Sequence, residues 1–308
     1  MCHIVDTNYN HSNFKLQFCG ALISSINYLR EFLDMPPSKI KSINWKISAA
    51  HYLAIKRVED NKFDEAKKYL HFIESICVQQ GVNLSPLYQE TTYELDMILE
   101  IMKDNNQIRF EFCNAKDDAF INHEIMKLND ALEAIKEYDI NSFNEIYEFI
   151  DTIFLTKELD NGARFMRSGT NFYMWGAIFI CINENYSIPY YIEHIIHECG
   201  HTALNILNAN DELVNNEADE LFDAPLRKDK RPMIGLFHAL FILNRICSTF
   251  EKILLNLDYI YYDDVKLIYN DRLMKLKNTY RIVKQYGKLT ELGKNIINEI
   301  EAKWNLRY

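Results

Sequence analysis

The segment His197-Glu198-Cys199-Gly200-His201 contains two histidines four residues apart, with a glutamate directly after the first. On an α-helix this spacing puts both imidazoles on one face, one turn apart. Two ring nitrogens placed in this way can reach one metal ion at about 2.0–2.1 Å. The glutamate can act on a metal-bound water or orient a ligand. The segment therefore predicts a mononuclear metal site on a helix.

A third protein ligand is needed, and the residues leave three sources open. The first is a downstream carboxylate, from Glu217, Asp219 or Glu220. Eighteen residues separate Glu220 from the second histidine, a spacing similar to that of glutamate-zincin peptidases. The second is His238, a single polar ring in an apolar run, although such a histidine is more often hydrogen-bonded in the core. The third is His194, which fits better as a residue that supports a ligand or faces the substrate.

Composition narrows the classes of function. The 308 residues carry a formal net charge of −10 and no long basic run, so nucleic acid is not an expected partner. Seven scattered cysteines without a CxxC pair indicate reduced thiols rather than a disulfide framework or a structural zinc site. The chain lacks a P-loop, a GxGxxG loop and a GxSxG elbow. We find no signal peptide and, with the longest apolar run near 172–182, no membrane span, which predicts a cytoplasmic protein.

Only nine glycines and six prolines occur, which favours helix and predicts a mostly α (α+β) fold. We expect a helical N-terminal region, 1–145, that we suggest binds a peptide, packed on a metal-binding catalytic region, 146–308, with a small β-sheet. The spacing of apolar residues predicts the helices, and runs rich in β-branched and aromatic residues predict the strands. Helices are expected at 43–58, 62–79, 85–102, 120–138, 189–207, 233–257, 271–286 and 290–304, and strands at 150–156 and 174–182.

A longer pattern follows the first histidine pair. It consists of Ala224-Pro225-Leu226-Arg227, then Arg231-Pro232, then Gly235 and, after two intervening residues, His238. Together with the HExxH segment and with Ser168-Gly169-Thr170, it resembles the α-ketoglutarate-dependent HExxH-type peptide β-hydroxylases of ribosomal-peptide biosynthesis. The resemblance covers about 150–250. It departs from the family at Leu226, where tryptophan is expected, and at Ala239, where glycine is usual.

The resemblance implies iron(II) held by His197, His201 and His238. It implies that the 1-carboxylate and 2-keto oxygen of α-ketoglutarate, together with dioxygen, use the remaining positions, and that a substrate Cβ is hydroxylated. Arg231 and Arg227 are then the candidates for the second α-ketoglutarate carboxylate, because an arginine fork binds carboxylate through two hydrogen bonds. We favour Arg231, since Pro232 fixes the backbone beside it. A precursor peptide is the implied substrate, with a radical SAM enzyme as a further partner.

Two other functions compete with this hypothesis. One is a zinc metallopeptidase in which Glu198 is the general base and Glu220 or Glu217 completes the metal site. In the oxygenase, by contrast, Glu198 would only orient a ligand or hold a water. The other is a non-catalytic helical protein that binds a precursor peptide or a partner enzyme.

Overall fold

The computed structural model describes Val5 and residues 7–103, 110–159, 165–226 and 229–306. Within these residues the protein is 63% helical, with ten α-helices and a small mixed sheet. The expected mostly α fold with a small sheet is thereby confirmed.

The chain divides into two compact units, and neither is continuous in sequence. We call Asn10–Met126 with Ile146–Tyr186 the sheet unit. We call Met1–Tyr9, Lys127–Glu145 and Ser187–Tyr308 the histidine unit. The expected boundary at 145/146 is one of the points where the chain passes between units, but it is not the only one. The assignment of peptide binding and catalysis to separate regions stays a prediction.

The sheet unit contains a four-stranded sheet in the order β1-β2-β4-β3. Strands β1, β2 and β4 are parallel, and the short β3 pairs antiparallel with β4. Every residue of β4 is buried, as are all but the last of β2, which fits strands covered on both faces. The elements are α1 (His11–Phe32), α2 (Trp45–Glu59), α3 (Phe63–Ser75), β1 (Asn83–Pro86), α4 (Tyr93–Lys103), β2 (Thr152–Lys157), β3 (Ser168–Thr170) and β4 (Ala177–Ile182).

Two helices, α5 (Asp118–Tyr138) and α6 (Ile140–Phe149), contribute residues to both units. The rest of the histidine unit comes from the last third of the chain. Its elements are α7 (Ile188–Asn210), β5 (Leu221–Phe222), β6 (Arg231–Pro232), α8 (Met233–Ile253), α9 (Tyr262–Tyr286) and α10 (Glu291–Trp304). Pro189 lies in the first turn of α7, where its missing N–H costs no hydrogen bond.

Helix α8 is the central element of the histidine unit, and most of its side chains are buried. Among the described residues it is the one helix whose length and composition would let it cross a membrane, with a mean hydropathy of 1.5. However, 78% of that window is buried inside the protein. The core helix of a soluble protein passes the same test, so α8 is weak evidence for a membrane span.

The structure differs from the expected elements at several places. Helices α1 and α6 were not expected. The helix expected from 85 is instead β1 followed by a loop, and helix resumes only at α4, because a chain approaching Pro86 favours extended backbone. Helix α9 begins nine residues before its expected start at 271, with Asp263 and Asp264 in its first turn, where negative charge stabilises a helix.

Candidate metal site

The two histidines of α7 lie on the same helix face, as their spacing requires. The ring centroids of His197 and His201 are 4.9 Å apart. Glu198 is almost fully buried, and its carboxylate Oε1 lies 3.8 Å from Nε2 of His197. The glutamate is therefore beside the ring nitrogen that a metal would engage rather than on the opposite side of the helix.

His238 reaches this pair from a separate helix. The β5–β6 pairing sets Phe222 opposite Arg231, and α8 begins directly after β6. His238 follows in the second turn, with its ring centroid 5.7 Å from that of His201. Two imidazoles that share one ion through ring nitrogens at about 2.1 Å, with an angle of about 90–109° at the ion, have centroids about 4.6–5.3 Å apart. Both observed separations fall close to this range.

The competing ligand candidates are held elsewhere. Both carboxylate oxygens of Glu220 are engaged, by Lys288 Nζ at 2.7 Å and by Asn216 Nδ2 at 2.8 Å. The hydrogen bond from Lys288 lowers the pKa of Glu220. Glu217 and Asp219 are exposed to solvent. The structure thus places an imidazole, and none of these three carboxylates, next to His201.

His194 is engaged within its own helix. Its Nδ1 is 2.8 Å from the carbonyl oxygen of Tyr190, and its ring stacks on the Tyr190 ring with centroids 3.9 Å apart. His194 is therefore bonded within α7, and its role as a residue that supports a ligand or faces the substrate stays a prediction.

The three histidines are neighbours, but they do not form a finished cage. Among the residues that the structure describes, no group of three His, Cys, Asp or Glu side chains is already arranged to hold a metal. Burial, together with the nearby His197 and His238, lowers the pKa of His201 well below its ordinary value. Burial also lowers the pKa of His238 to about 4. Both rings are consequently neutral near pH 7, which is the form that binds a metal.

One buried ring nitrogen supports the fit of a metal to these residues. Nε2 of His238 is buried and has no hydrogen-bond partner. An unpaired buried polar atom costs about 1–3 kcal/mol, so such atoms are uncommon without a function. A metal ion shared with His201 would engage this nitrogen.

A cavity of about 300 Å³ opens beside His201 and His238. Arg231 also lines it, and the Nε of its guanidinium is buried without a hydrogen-bond partner. Its Nη2 is paired with Asp229 at 2.8 Å. Arg227, the second arginine candidate, lies outside the described residues. The other lining residues are mainly apolar: Ala224, Pro225, Leu226, Ile234, Gly235, Leu236, Ala239 and Thr279.

Leu226 and Ala239, the two departures from the family pattern, both line this cavity. Both residues add apolar surface to its lining.

A buried ion pair next to the histidine helices was not expected from the sequence. The carboxylate of Glu145 accepts two hydrogen bonds from the guanidinium of Arg245, at 3.0 and 3.2 Å. Both residues are only 3% exposed. The sequence does indicate a buried charge here, because Arg245 interrupts the apolar run of α8 and a charge in such a run needs a partner. Sequence alone could not supply that partner, since Glu145 lies 100 residues earlier.

No protein-family model matches the chain, and no curated protein matches it.

Proposed function

We propose that this protein is an iron(II)- and α-ketoglutarate-dependent oxygenase that hydroxylates a Cβ position in a ribosomally made peptide. The observation that carries the proposal is one cavity lined by His201, His238 and Arg231, in which His238 Nε2 and Arg231 Nε are both buried and unpaired. The lining thus offers nitrogen ligands and a cation in the same cavity. A small dicarboxylate that also binds a metal complements both kinds of group.

In this proposal His197, His201 and His238 hold the metal, which, when bound with α-ketoglutarate and dioxygen, supplies the oxidising chemistry. Three protein ligands leave positions open for a bidentate co-substrate and for dioxygen. The other carboxylate of α-ketoglutarate pairs with Arg231, whose fork is suited to it. The mainly apolar lining lowers the local dielectric constant around this contact, which strengthens the attraction between the two charges.

Glu198 does not need to act as a base in this reaction. Its carboxylate lies 3.8 Å from His197 Nε2, where it can hold a water beside the metal. The peptide substrate, the radical SAM partner enzyme and the cytoplasmic location are proposals that rest on the resemblance around the histidine and arginine motifs.

The test is turnover by the iron-loaded protein. It is incubated under air with α-ketoglutarate and with each short peptide encoded beside its gene. The expected products are succinate and a peptide heavier by one oxygen. If neither forms with any of these peptides, and anaerobic iron(II) with α-ketoglutarate develops no visible charge-transfer band, the proposal is wrong.

A second candidate is a zinc metallopeptidase, favoured by the position of Glu198 beside His197 Nε2. Two variants distinguish the candidates through their metal content. In the oxygenase, His238→Ala loses the metal and Glu220→Ala keeps it, because the Glu220 carboxylate is held by Lys288 and Asn216. Loss of zinc from Glu220→Ala, with retention in His238→Ala and oxygen-independent peptide cleavage, would establish the peptidase.

A further inference from the structure

The ion pair of Glu145 and Arg245 belongs to a larger buried cluster in the histidine unit. The hydroxyl of Tyr9 donates a hydrogen bond to Glu145 Oε1. The thiol of Cys199 donates to Glu145 Oε2, with sulfur and oxygen 3.9 Å apart. The guanidinium of Arg245 lies 5.0 Å from the centroid of the Phe241 ring. The Glu145 carboxylate therefore accepts hydrogen bonds from three side chains, which lie in the N-terminal segment, α7 and α8.

This cluster lies where α7 and α8 cross, next to the three histidines. Cys199 and Gly200 stand between His197 and His201 on α7. A Cβ on Gly200 would lie 2.8 Å from Ile242 Cδ1 and 3.7 Å from Arg245 Cγ, both on α8. Arg245 follows His238 by seven residues, or nearly two turns, and so shares its helix face. The ion pair itself joins α6, which carries Glu145, to α8, which carries Arg245. Helix α7 packs against this pair through Cys199 and Gly200.

Stability does not explain why this pair is charged. Removing two charges from water costs several kcal/mol each, and apolar side chains of similar volume often serve as well or better. In addition, Nε of Arg245 is buried without a hydrogen-bond partner. An apolar contact is tolerant of sliding, whereas a two-bonded carboxylate–guanidinium pair is directional and fixes the elements that carry it.

We propose that the buried Glu145–Arg245 pair is a positioning device that fixes how α7 presents His197 and His201 to His238 on α8. The proposal rests on the function proposed above, because it concerns the same three histidines. It adds two residues that touch neither metal nor substrate and act through the helices that carry the ligands. Tyr9 and Cys199 complete the device, because each donates to one of the two Glu145 oxygens that Arg245 also binds.

The test replaces the charges with apolar side chains and measures metal geometry instead of turnover. In the variant Tyr9→Phe, Glu145→Met, Arg245→Met, no charged or hydroxyl partner is left unpaired. Cobalt(II) replaces iron, because its visible spectrum reports coordination without oxygen chemistry. We expect the folded variant to bind cobalt(II) about 10–100-fold more weakly, with an altered spectrum. Equal affinity and an unchanged spectrum would overturn the proposal.

A matched control lies on the same helix. Lys252 follows Arg245 by seven residues on α8 and pairs with Asp139 at 2.6 Å, about two turns farther from His238. The variant Asp139→Asn, Lys252→Met also removes a pair of opposite charges, while the asparagine oxygen can still accept the hydroxyl hydrogen bonds of Ser142 on α6 and Thr249 on α8. This variant should leave cobalt(II) binding unchanged. Equal weakening in both variants would assign the effect to general loosening and overturn the proposal.

Two further measurements complete the design. If the triple variant does not fold, the variant Arg245→Lys is measured instead, because lysine keeps the charge but loses the two-bonded geometry. We expect this variant to bind cobalt(II) more weakly than the wild type. Cobalt(II) binding equal to that of the wild type would overturn the proposal. The wild-type protein and His238→Ala are titrated in parallel. If His238→Ala binds cobalt(II) as the wild type does, the three-histidine site is wrong, whereas failure of the positioning proposal leaves that site intact.

Discussion

Arg231 brings a positive charge to the wall of an otherwise mainly apolar cavity. Such a charge needs a partner, and its Nη2 lies 2.8 Å from Asp229 Oδ2. Its Nε is buried without a hydrogen-bond partner, so the guanidinium retains an unsatisfied donor. A carboxylate in the cavity would satisfy it, which gives a prediction for a single residue.

We expect Arg231→Lys to weaken α-ketoglutarate binding about 10–100-fold, because a charged hydrogen bond contributes about 1.5–3 kcal/mol and lysine cannot reproduce the fork. Calorimetric titration of the cobalt(II)-loaded protein with α-ketoglutarate measures the change, while cobalt(II) affinity itself should not alter. Lys230→Met is the control, since this neighbouring lysine lies 3.8 Å from Asp223 on the surface. Equal weakening in the control would show that the loop charge as a whole, and not Arg231, attracts the anion.

The positions of some residues of the candidate metal site could be predicted from the sequence. The i, i+4 spacing of His197 and His201 is local, so helix geometry alone predicts their shared face. His238 required the resemblance, because 36 residues and a hairpin separate it from His201. Glu145 could not be predicted, since nothing in the sequence of α6 distinguishes it from a solvated glutamate.

Asp151 links three elements of the sheet unit. It follows α6, and its carboxylate accepts hydrogen bonds from the backbone N–H of Trp45, the first residue of α2, at 2.9 Å and from the Thr152 hydroxyl at 2.9 Å. Gly176 lies against it with φ of +105°, and a Cβ there would come within 2.2 Å of Asp151 Oδ2. The close packing explains why burial raises the pKa of Asp151 to about 7.

This raised pKa makes the stability of the sheet unit depend on pH. Because the folded-state pKa exceeds the ordinary value of 3.8, the folded chain binds the proton more tightly than the unfolded chain. The stabilisation is therefore fully present below about pH 4 and is lost as the pH rises through 7. We expect Asp151→Asn, which resembles the protonated acid, to raise the unfolding free energy at pH 8 by about 2–4 kcal/mol.

Urea unfolding at pH 5 and pH 8 measures this effect. The wild type should lose stability between the two values, and Asp151→Asn should lose much less. Asp117→Asn serves as the control, because its carboxylate pairs with Lys157 at 2.8 Å in a half-exposed position of the same unit. An Asp151→Asn variant with the same pH dependence as the wild type would contradict the assignment of the dependence to this carboxyl.

Helices and strands could be predicted where the spacing of apolar residues along the chain marks the buried face or faces. Helices α2 and α3 and strands β2 and β4 lie close to their expected ranges, because their apolar periodicity is strong. Helix α1 was missed because its apolar and polar residues are poorly segregated, and Leu16, Tyr28 and Phe32 are exposed. Helix propensity without an amphipathic pattern is a weak signal.

The division of the whole molecule could not be read from the sequence. Each unit collects segments that are far apart in the chain, and the passages between them occur without a Gly- or Pro-rich linker. The short segment that ends at Tyr9 belongs to the histidine unit: Val5 is buried, and its carbonyl accepts a hydrogen bond from Asn244 Nδ2 at 3.0 Å. Such long-range contacts cannot be predicted from the spacing of apolar residues in the segments between them.

The two units give a prediction for the whole chain. All three histidines belong to the histidine unit, so a metal bound to them stabilises that unit against opening, by about 2.7 kcal/mol at a free metal concentration 100 times Kd. With cobalt(II), hydrogen exchange should slow in α7 and α8, while amides of β2 and β4 that exchange by opening of the sheet unit keep their rates. His238→Ala should abolish the protection, because it removes the ligand that connects the two helices. Equal protection of β2 and β4 would show instead that the chain opens as one cooperative body, and protection in His238→Ala would show that the metal binds elsewhere.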